Sequence, residues 1–257
     1  MHMLSPRTWL TVVFAFGFEL ALAEPSEAAP AELPDMASIT DVSKKKETFF
    51  EFLNPIVQSV NQRIEAERAW LLQMRRKARQ GHDFLPWQIE TMAELGRHYE
   101  VEAEPGSDSY FDVMMHRVDI IPASLVLAQA ANESAWGTSR FAVEGNNLFG
   151  QWCFAEGCGL VPAGRPEGES YEVKLFDSVA DSVEAYFQNV NTHPPYRELR
   201  NIRAELRYLG MPASSLDLVW GLEGYSIRGE EYIRELTEMI RYNDLGQYDE
   251  LPFYALN

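Results

Sequence analysis

Between Ile121 and Gly137 the chain is almost entirely small or aliphatic, and Glu133 is its one ionisable residue. Pro122 suits a first helical position and Gly137 a C-terminal stop, so the pattern predicts a helix between them. A helix that is apolar nearly all round is a buried helix. Glu133 falls near its C-terminal end, where the macrodipole disfavours a carboxylate, and burial disfavours the charged form again. A carboxyl group held toward the neutral acid is what general-acid catalysis requires. Gln129 and Trp136 are spaced four and three residues from Glu133, which puts all three on one helical face. An amide to read hydroxyls, an indole to stack on a sugar ring and an acid to protonate a glycosidic oxygen would make a saccharide subsite. Taken alone, Glu133 reads more readily as a structural glutamate satisfied by hydrogen bonds, and the motifs that follow it reverse that weighting.

The elements around that helix are readable in outline. The chain has 257 residues with a formal net charge of −17, which argues against nucleic acid as a partner. Residues 1–23 read as an export signal: Arg7, an apolar run from Trp9 to Phe18, then Ala21-Leu22-Ala23 as a small-x-small cleavage pattern. The expected location is therefore the periplasm or cell envelope. The one membrane contact the sequence offers is this segment, if it stays uncleaved. Residues 24–43, rich in Ala, Glu and Pro, read as a flexible linker. A helical extension follows over 44–108, with an apolar stripe of Phe49, Leu53, Ile56, Val60 and Ile64. Pro55 predicts a kink or restart within it, and the basic run Arg75, Arg76, Lys77, Arg79 reads as a solvated helix end. Second and third helices are expected over Pro86 to Tyr99 and Tyr110 to Arg117.

After Glu133 the pattern changes. The stretches from Asn146 to Cys153 and from Tyr171 to Phe176 look like short strands. Ser178 opens a helix with Asp181 as its capping acid. Helices are expected again over Tyr196 to Leu209, Ser214 to Leu222 and Glu230 to Asn243, with Tyr186 and Tyr232 on their apolar stripes as core residues. The two cysteines, Cys153 and Cys158, fit a disulfide in an exported chain. They are half of a structural zinc set, and no histidine pair lies near, so no metal site is expected. No glycine-rich phosphate loop is present and no cofactor is called for. Phe149 and Trp152 read equally as β-lobe core or sugar platforms. Asn146 and Asn147 read as turn residues or as glycan contacts.

The order of three motifs carries a family resemblance. Asn132-Glu133-Ser134-Ala135-Trp136-Gly137, then Asn146-Asn147-Leu148-Phe149-Gly150, then Gly224-Tyr225-Ser226 with Tyr232 beyond it, resemble the E-S-x-W-G, N-N-L-F-G and G-Y-x…Y elements of glycoside hydrolase family 73. The Arg117-Val118-Asp119-Ile120-Ile121-Pro122 lead-in, the two cysteines and Asn191-Thr192-His193-Pro194 are similar to its Bax-type branch. The resemblance covers roughly Phe49 to Asp244. It implies a mainly α, lysozyme-like domain over 109–250, with a small β-hairpin lobe and a cleft. It implies hydrolysis of the β-1,4 bond after N-acetylglucosamine in peptidoglycan glycan strands. Glu133 then matches the general acid and Tyr225 the cleft tyrosine that assists the reacting sugar.

Glycosidases commonly use a second carboxylate. Glu156 and Glu144 lie in or near the β lobe, but Glu169 and Glu172 are the better candidates; no motif fixes either. The alternative is attack by the substrate's own 2-acetamido oxygen, and the lack of a committed second acid favours it. A lytic transglycosylase and a non-catalytic wall-binding scaffold are the competing functions for the same fold.

Overall fold

A computed structural model describes residues 32–226 and 228–249. The export segment and the first part of the linker lie outside the described residues. The end of the linker is packed: Met36 is buried, and both Met36 and Leu33 cover the turn at Gly137.

Helix α1 runs unbroken from Val42 to Arg79, capped by Asp41, whose side chain accepts from Lys44 N at 2.7 Å. A helix restart at Pro55 does not occur; the proline lies inside the helix. Pro55 is exposed, as is Glu51, the residue whose carbonyl loses its helical donor. That carbonyl can turn to water, while Phe50, Leu53, Val57 and Val60 anchor both sides of the proline in the core. Helices α2 (Pro86–His98) and α3 (Asp108–Arg117) follow. No helix among the described residues is long and apolar enough to cross a membrane.

Helix α4, Ala123–Glu133, follows. Its residues from Ala123 to Ala131 are all buried. They belong to one hydrophobic cluster with Phe49, Leu53 and Val57 of α1, so the extension over 44–108 and the region 109–250 share a core. Asp249, near the far end of the chain, caps α4 by accepting from Ser124 N at 2.8 Å and Ser124 Oγ at 2.7 Å. An acid there also suits the positive end of the helix dipole. The helix is shorter than predicted. Its last residue is Glu133 and its C-cap Ser134, and Ala135 and Trp136 take left-handed backbone, φ 51° and 60°.

The short helix α5 (Arg140–Gly145) was not evident in the sequence. The β lobe is a three-stranded antiparallel sheet rather than a hairpin. Strands β1 (Trp152–Cys153) and β2 (Gly159–Leu160) flank β3 (Glu172–Lys174). Register pairs Trp152 with Val173 and Leu160 with Val173. The stretch from Asn146 to Gln151, predicted as strand, is loop. Cys153 and Cys158 form the expected disulfide. The fold returns to helix with α6 (Val179–Thr192), whose Ser178 cap accepts from Asp181 N at 3.2 Å. Helix α7 (Arg197–Tyr208), the single turn α8 (Ser215–Leu218), a 3-10 segment (Val219–Tyr225) and α9 (Glu230–Tyr242) complete it. The protein is mainly α with one small sheet.

Candidate active site

Glu133 is the last residue of α4 and is half-buried. Burial pushes its carboxyl above the ordinary glutamate value. The Tyr232 hydroxyl, the Asn132 amide, which donates to Oε1 at 3.4 Å, and the nearby charge of Arg228 pull the other way; the charge of Glu235 adds to the rise. The net direction is upward, toward the neutral acid.

Four tyrosines converge on this carboxyl from different elements. Tyr232 comes from α9 and Tyr186 from α6; Tyr196 precedes α7, and Tyr225 ends the 3-10 segment. The charge of Glu133 reaches all four, and burial raises each phenol. Tyr225 stacks on Tyr232 and tilts against Tyr196 at 5.9 Å between centroids. Its hydroxyl donates to the Phe149 carbonyl at 2.9 Å, which ties the 3-10 segment to the β-lobe loop. Gly221 makes that placement possible: a Cβ there would stand 2.2 Å from Leu199 Cα, so only glycine lets the segment lie this close to α7. On α9 and its approach, Arg228 pairs with Glu235 at 2.7 Å and lies over the Tyr232 ring at 5.4 Å.

Several predicted glycan contacts are engaged elsewhere. Gln129 is fully buried, and its amide is spent on two tyrosines: Nε2 donates to Tyr232 Oη at 3.0 Å, and Oε1 accepts from the Tyr186 hydroxyl. Trp136 does not share the Glu133 face, because the helix has already ended. Its ring packs edge-on against Phe49 and Phe50, with Lys46 5.1 Å from its centroid. It lines a surface groove of 630 Å³ with Tyr242 and Glu235. Phe149 is core, stacked on Tyr186 at 4.2 Å. Asn147 is buried and holds its own loop, donating to Gln151 O and Lys174 O at 2.9 Å each. Asn146 adopts left-handed backbone and donates to Phe176 O at 3.0 Å. Both asparagines therefore shape the turn. Trp152 is 56% exposed and stacks flat on Tyr171 at 4.3 Å, an open aromatic surface.

The two candidate second acids differ. Glu172 is buried and accepts from Gly157 N at 3.1 Å and Gly159 N at 2.7 Å, so it holds the disulfide turn together. Glu169 is exposed in the loop between β2 and β3. In the sequence Tyr186 stands out only by its apolar stripe, and Tyr232 by its stripe and as the last residue of the G-Y-x…Y element. A buried tyrosine nevertheless needs a partner for its hydroxyl, and that need is the signal that links both to Gln129.

The chain is similar to known proteins. The family model described as mannosyl-glycoprotein endo-beta-N-acetylglucosaminidase matches residues 109–245. Protein bax of Escherichia coli (strain K12) is 35% identical over 219 residues, covering 85% of this chain and 77% of the relative. A crystal structure of the catalytic domain of the autolysin Auto from Listeria monocytogenes aligns with 69% of this chain and 96% of its own, at 19% identity and a TM-score of 0.34. With more than half the chain matched by the model, and Glu133 and Tyr225 both within the matched span, the chain belongs to the glucosaminidase family of glycoside hydrolases.

Proposed function

We propose that the protein is an exported peptidoglycan hydrolase that cleaves the β-1,4 bond following N-acetylglucosamine. The observation that carries the reading is the half-buried Glu133 at the end of α4, with its carboxyl pushed toward the neutral acid inside a wall of tyrosines. Glu133 gives its proton to the glycosidic oxygen as the bond to the anomeric carbon breaks. The substrate's 2-acetamido oxygen attacks that carbon from the opposite face and forms a cyclic oxazolinium. Water then opens the ring, and the Glu133 carboxylate takes up the water's proton, which restores the acid.

Tyr225 is assigned to the reacting sugar. Its hydroxyl proton is committed to Phe149 O, so the phenol oxygen offers lone pairs toward developing positive charge. Substrate assistance is favoured over a second carboxylate because Glu172 is occupied by two backbone donors. Trp152 is the assigned sugar platform. The segment over 1–23 carries the proposal of export to the periplasm or cell envelope.

The decisive experiment is Glu133→Gln assayed on purified sacculi. Loss of reducing-end release supports the reading, and release at the wild-type rate refutes it. Mass spectrometry of the fragments separates the bond and the product end. An anhydro-muramic end would identify a lytic transglycosylase instead.

A further inference from the structure

A chain of hydrogen bonds runs behind the acid. Tyr186, fully buried, donates to Gln129 Oε1. Gln129 Nε2 donates to Tyr232 Oη at 3.0 Å. Tyr232 is also fully buried, and Glu133 lies one helical turn beyond Gln129 on the same side of α4, where its carboxyl and the Tyr232 phenol interact. We infer that Gln129 is a positioning residue that fixes the direction of this chain, so that Tyr232 donates its proton to one oxygen of Glu133 and leaves the other for the substrate.

The direction follows from counting protons. A phenol has one proton to give. Because Tyr232 Oη accepts from the Gln129 amide, its own proton is left for Glu133. With the amide turned over, Tyr232 would donate to Gln129 Oε1 and could only accept from Glu133. The acid's proton would then point into the protein rather than at a glycosidic oxygen. Tyr186 holds the amide in the productive sense. Among the described residues, Gln129 Oε1 is the acceptor of its hydroxyl. Turning the amide would leave that proton buried without an acceptor, which fully enclosed polar groups rarely tolerate. The Tyr225 hydroxyl does not compete, since it donates to Phe149 O.

The arrangement serves both halves of the reaction. Before proton transfer, the carboxylic acid keeps its proton on the substrate side. After transfer, the Tyr232 donor is already aimed at the carboxylate that has formed, so no group has to reorganise. The other groups facing Glu133 are Asn132 from its own helix, Arg228 and Glu235 from α9 and its approach, and Tyr186, Tyr196 and Tyr225 from the surrounding elements. Of these, Tyr186 is the one hydrogen-bonded to Gln129, so a residue of similar volume there takes away the acceptor of the Tyr186 hydroxyl.

The inference rests on Glu133 being the general acid, and its test separates the two claims. The Glu133 carboxyl is titrated by carbon NMR in glutamate-labelled protein, with Glu133→Gln assigning the signal, and kcat is measured on sacculi alongside. Tyr232→Phe is expected to raise the Glu133 midpoint by about half to one pH unit because the carboxylate loses a donor, and Gln129→Met to raise it because the freed Tyr232 oxygen can then accept the acid's proton, which favours the neutral form. Both should lower kcat by about tenfold or more with KM little changed. The double variant should match Tyr232→Phe alone, since Gln129 acts only through Tyr232. Tyr186→Phe, which keeps the packing, should shift the midpoint in the same direction by less. An unshifted midpoint in folded Gln129→Met overturns the inference, as do additive shifts in the double variant. If Gln129→Met does not fold, an unshifted Tyr186→Phe overturns it. Wild-type turnover by Glu133→Gln would instead remove the general-acid reading, while the midpoints still report the direction of the chain.

Discussion

The ring of Tyr225 lies parallel to that of Tyr232, with centroids 5.5 Å apart and planes 1° from parallel. Tyr232 reaches the Glu133 carboxyl and Tyr225 reaches the Phe149 carbonyl, so one aromatic stack joins the acid to the loop that leads into the β lobe. The two rings come from different elements, and the contact fixes the 3-10 segment against α9. In this way the late G-Y-S motif and the N-N-L-F-G motif meet beside the acid.

Tyr225→Phe keeps the stack and removes one hydrogen bond, so stability should fall by only about 1 kcal/mol. Under the proposed mechanism kcat should still fall by about tenfold or more, with KM changed by less than about threefold. A kcat equal to wild type, measured on sacculi, would show that Tyr225 only holds the loop. The same assay followed by proton NMR should show the β-anomer of the new reducing end first. Initial α-anomer would exclude substrate assistance.

Glu172 and Glu169 should separate cleanly. Glu172→Ala leaves the Gly157 and Gly159 amides without their acceptor, and should cost about 1–3 kcal/mol in denaturant unfolding. Any loss of rate should then track the loss of fold, and be recovered by assaying at lower temperature. Glu169→Ala, on an exposed loop, should leave both stability and kcat near wild type. A folded Glu169→Ala variant with kcat reduced a hundredfold would restore the two-carboxylate mechanism.

The parts of this architecture that were legible in the sequence have local causes. Ser178 with Asp181 three positions on is a cap whatever it packs against, and it caps α6. The buried character of α4 follows from composition alone. The parts that were not legible depend on tertiary contacts. Trp136 seemed to share a face with Glu133 because nothing in Ser134-Ala135-Trp136 announces left-handed backbone, which non-glycine residues adopt only when packing imposes it. The contacts of Trp136 with Phe49 and Phe50, far away in sequence, are such packing. Gln129 was read as a substrate contact for the same reason. Its spacing places it on the Glu133 side, but only the arrival of α6 and α9 shows that two phenols claim its amide before any sugar could. Pro55 shows the reverse, a strong local breaker overruled by core residues on either side.

Asp119, in the lead-in to α4, is buried among Arg68, Arg203 and Arg207. Burial alone would raise its carboxyl, but the three guanidinium groups more than offset this and hold it below the ordinary aspartate value. Burial in turn pushes Arg203 down to about 10, so the charges depend on one another. Asp119→Asn leaves buried guanidinium charge uncompensated and should destabilise the protein by about 3–5 kcal/mol. In a thermal melt that is a drop of about 10 °C. A variant melting within 2 °C of wild type would show that the neighbouring carbonyls alone satisfy Arg203.

Glu133 and Asp119 should mark opposite ends of the pH–stability curve. Glu133 is raised above the ordinary glutamate value of 4.5 in the folded protein. The folded state therefore holds a proton over a range in which the unfolded chain has released it. Its contribution is fully present below the unfolded value and is lost as pH rises through the folded one. Asp119 is lowered from 3.8, so its contribution is present above that value and lost as pH falls through the depressed one. Glu133→Gln removes the first dependence and leaves the second. Urea unfolding at a series of pH values should therefore find the variant gaining on the wild type as pH rises above 4.5, then holding a constant lead once the carboxyl is ionised in both states. A difference that does not change with pH would mean that burial imposes no cost on the ionised acid. The catalytic rise in its pKa would then have no structural basis.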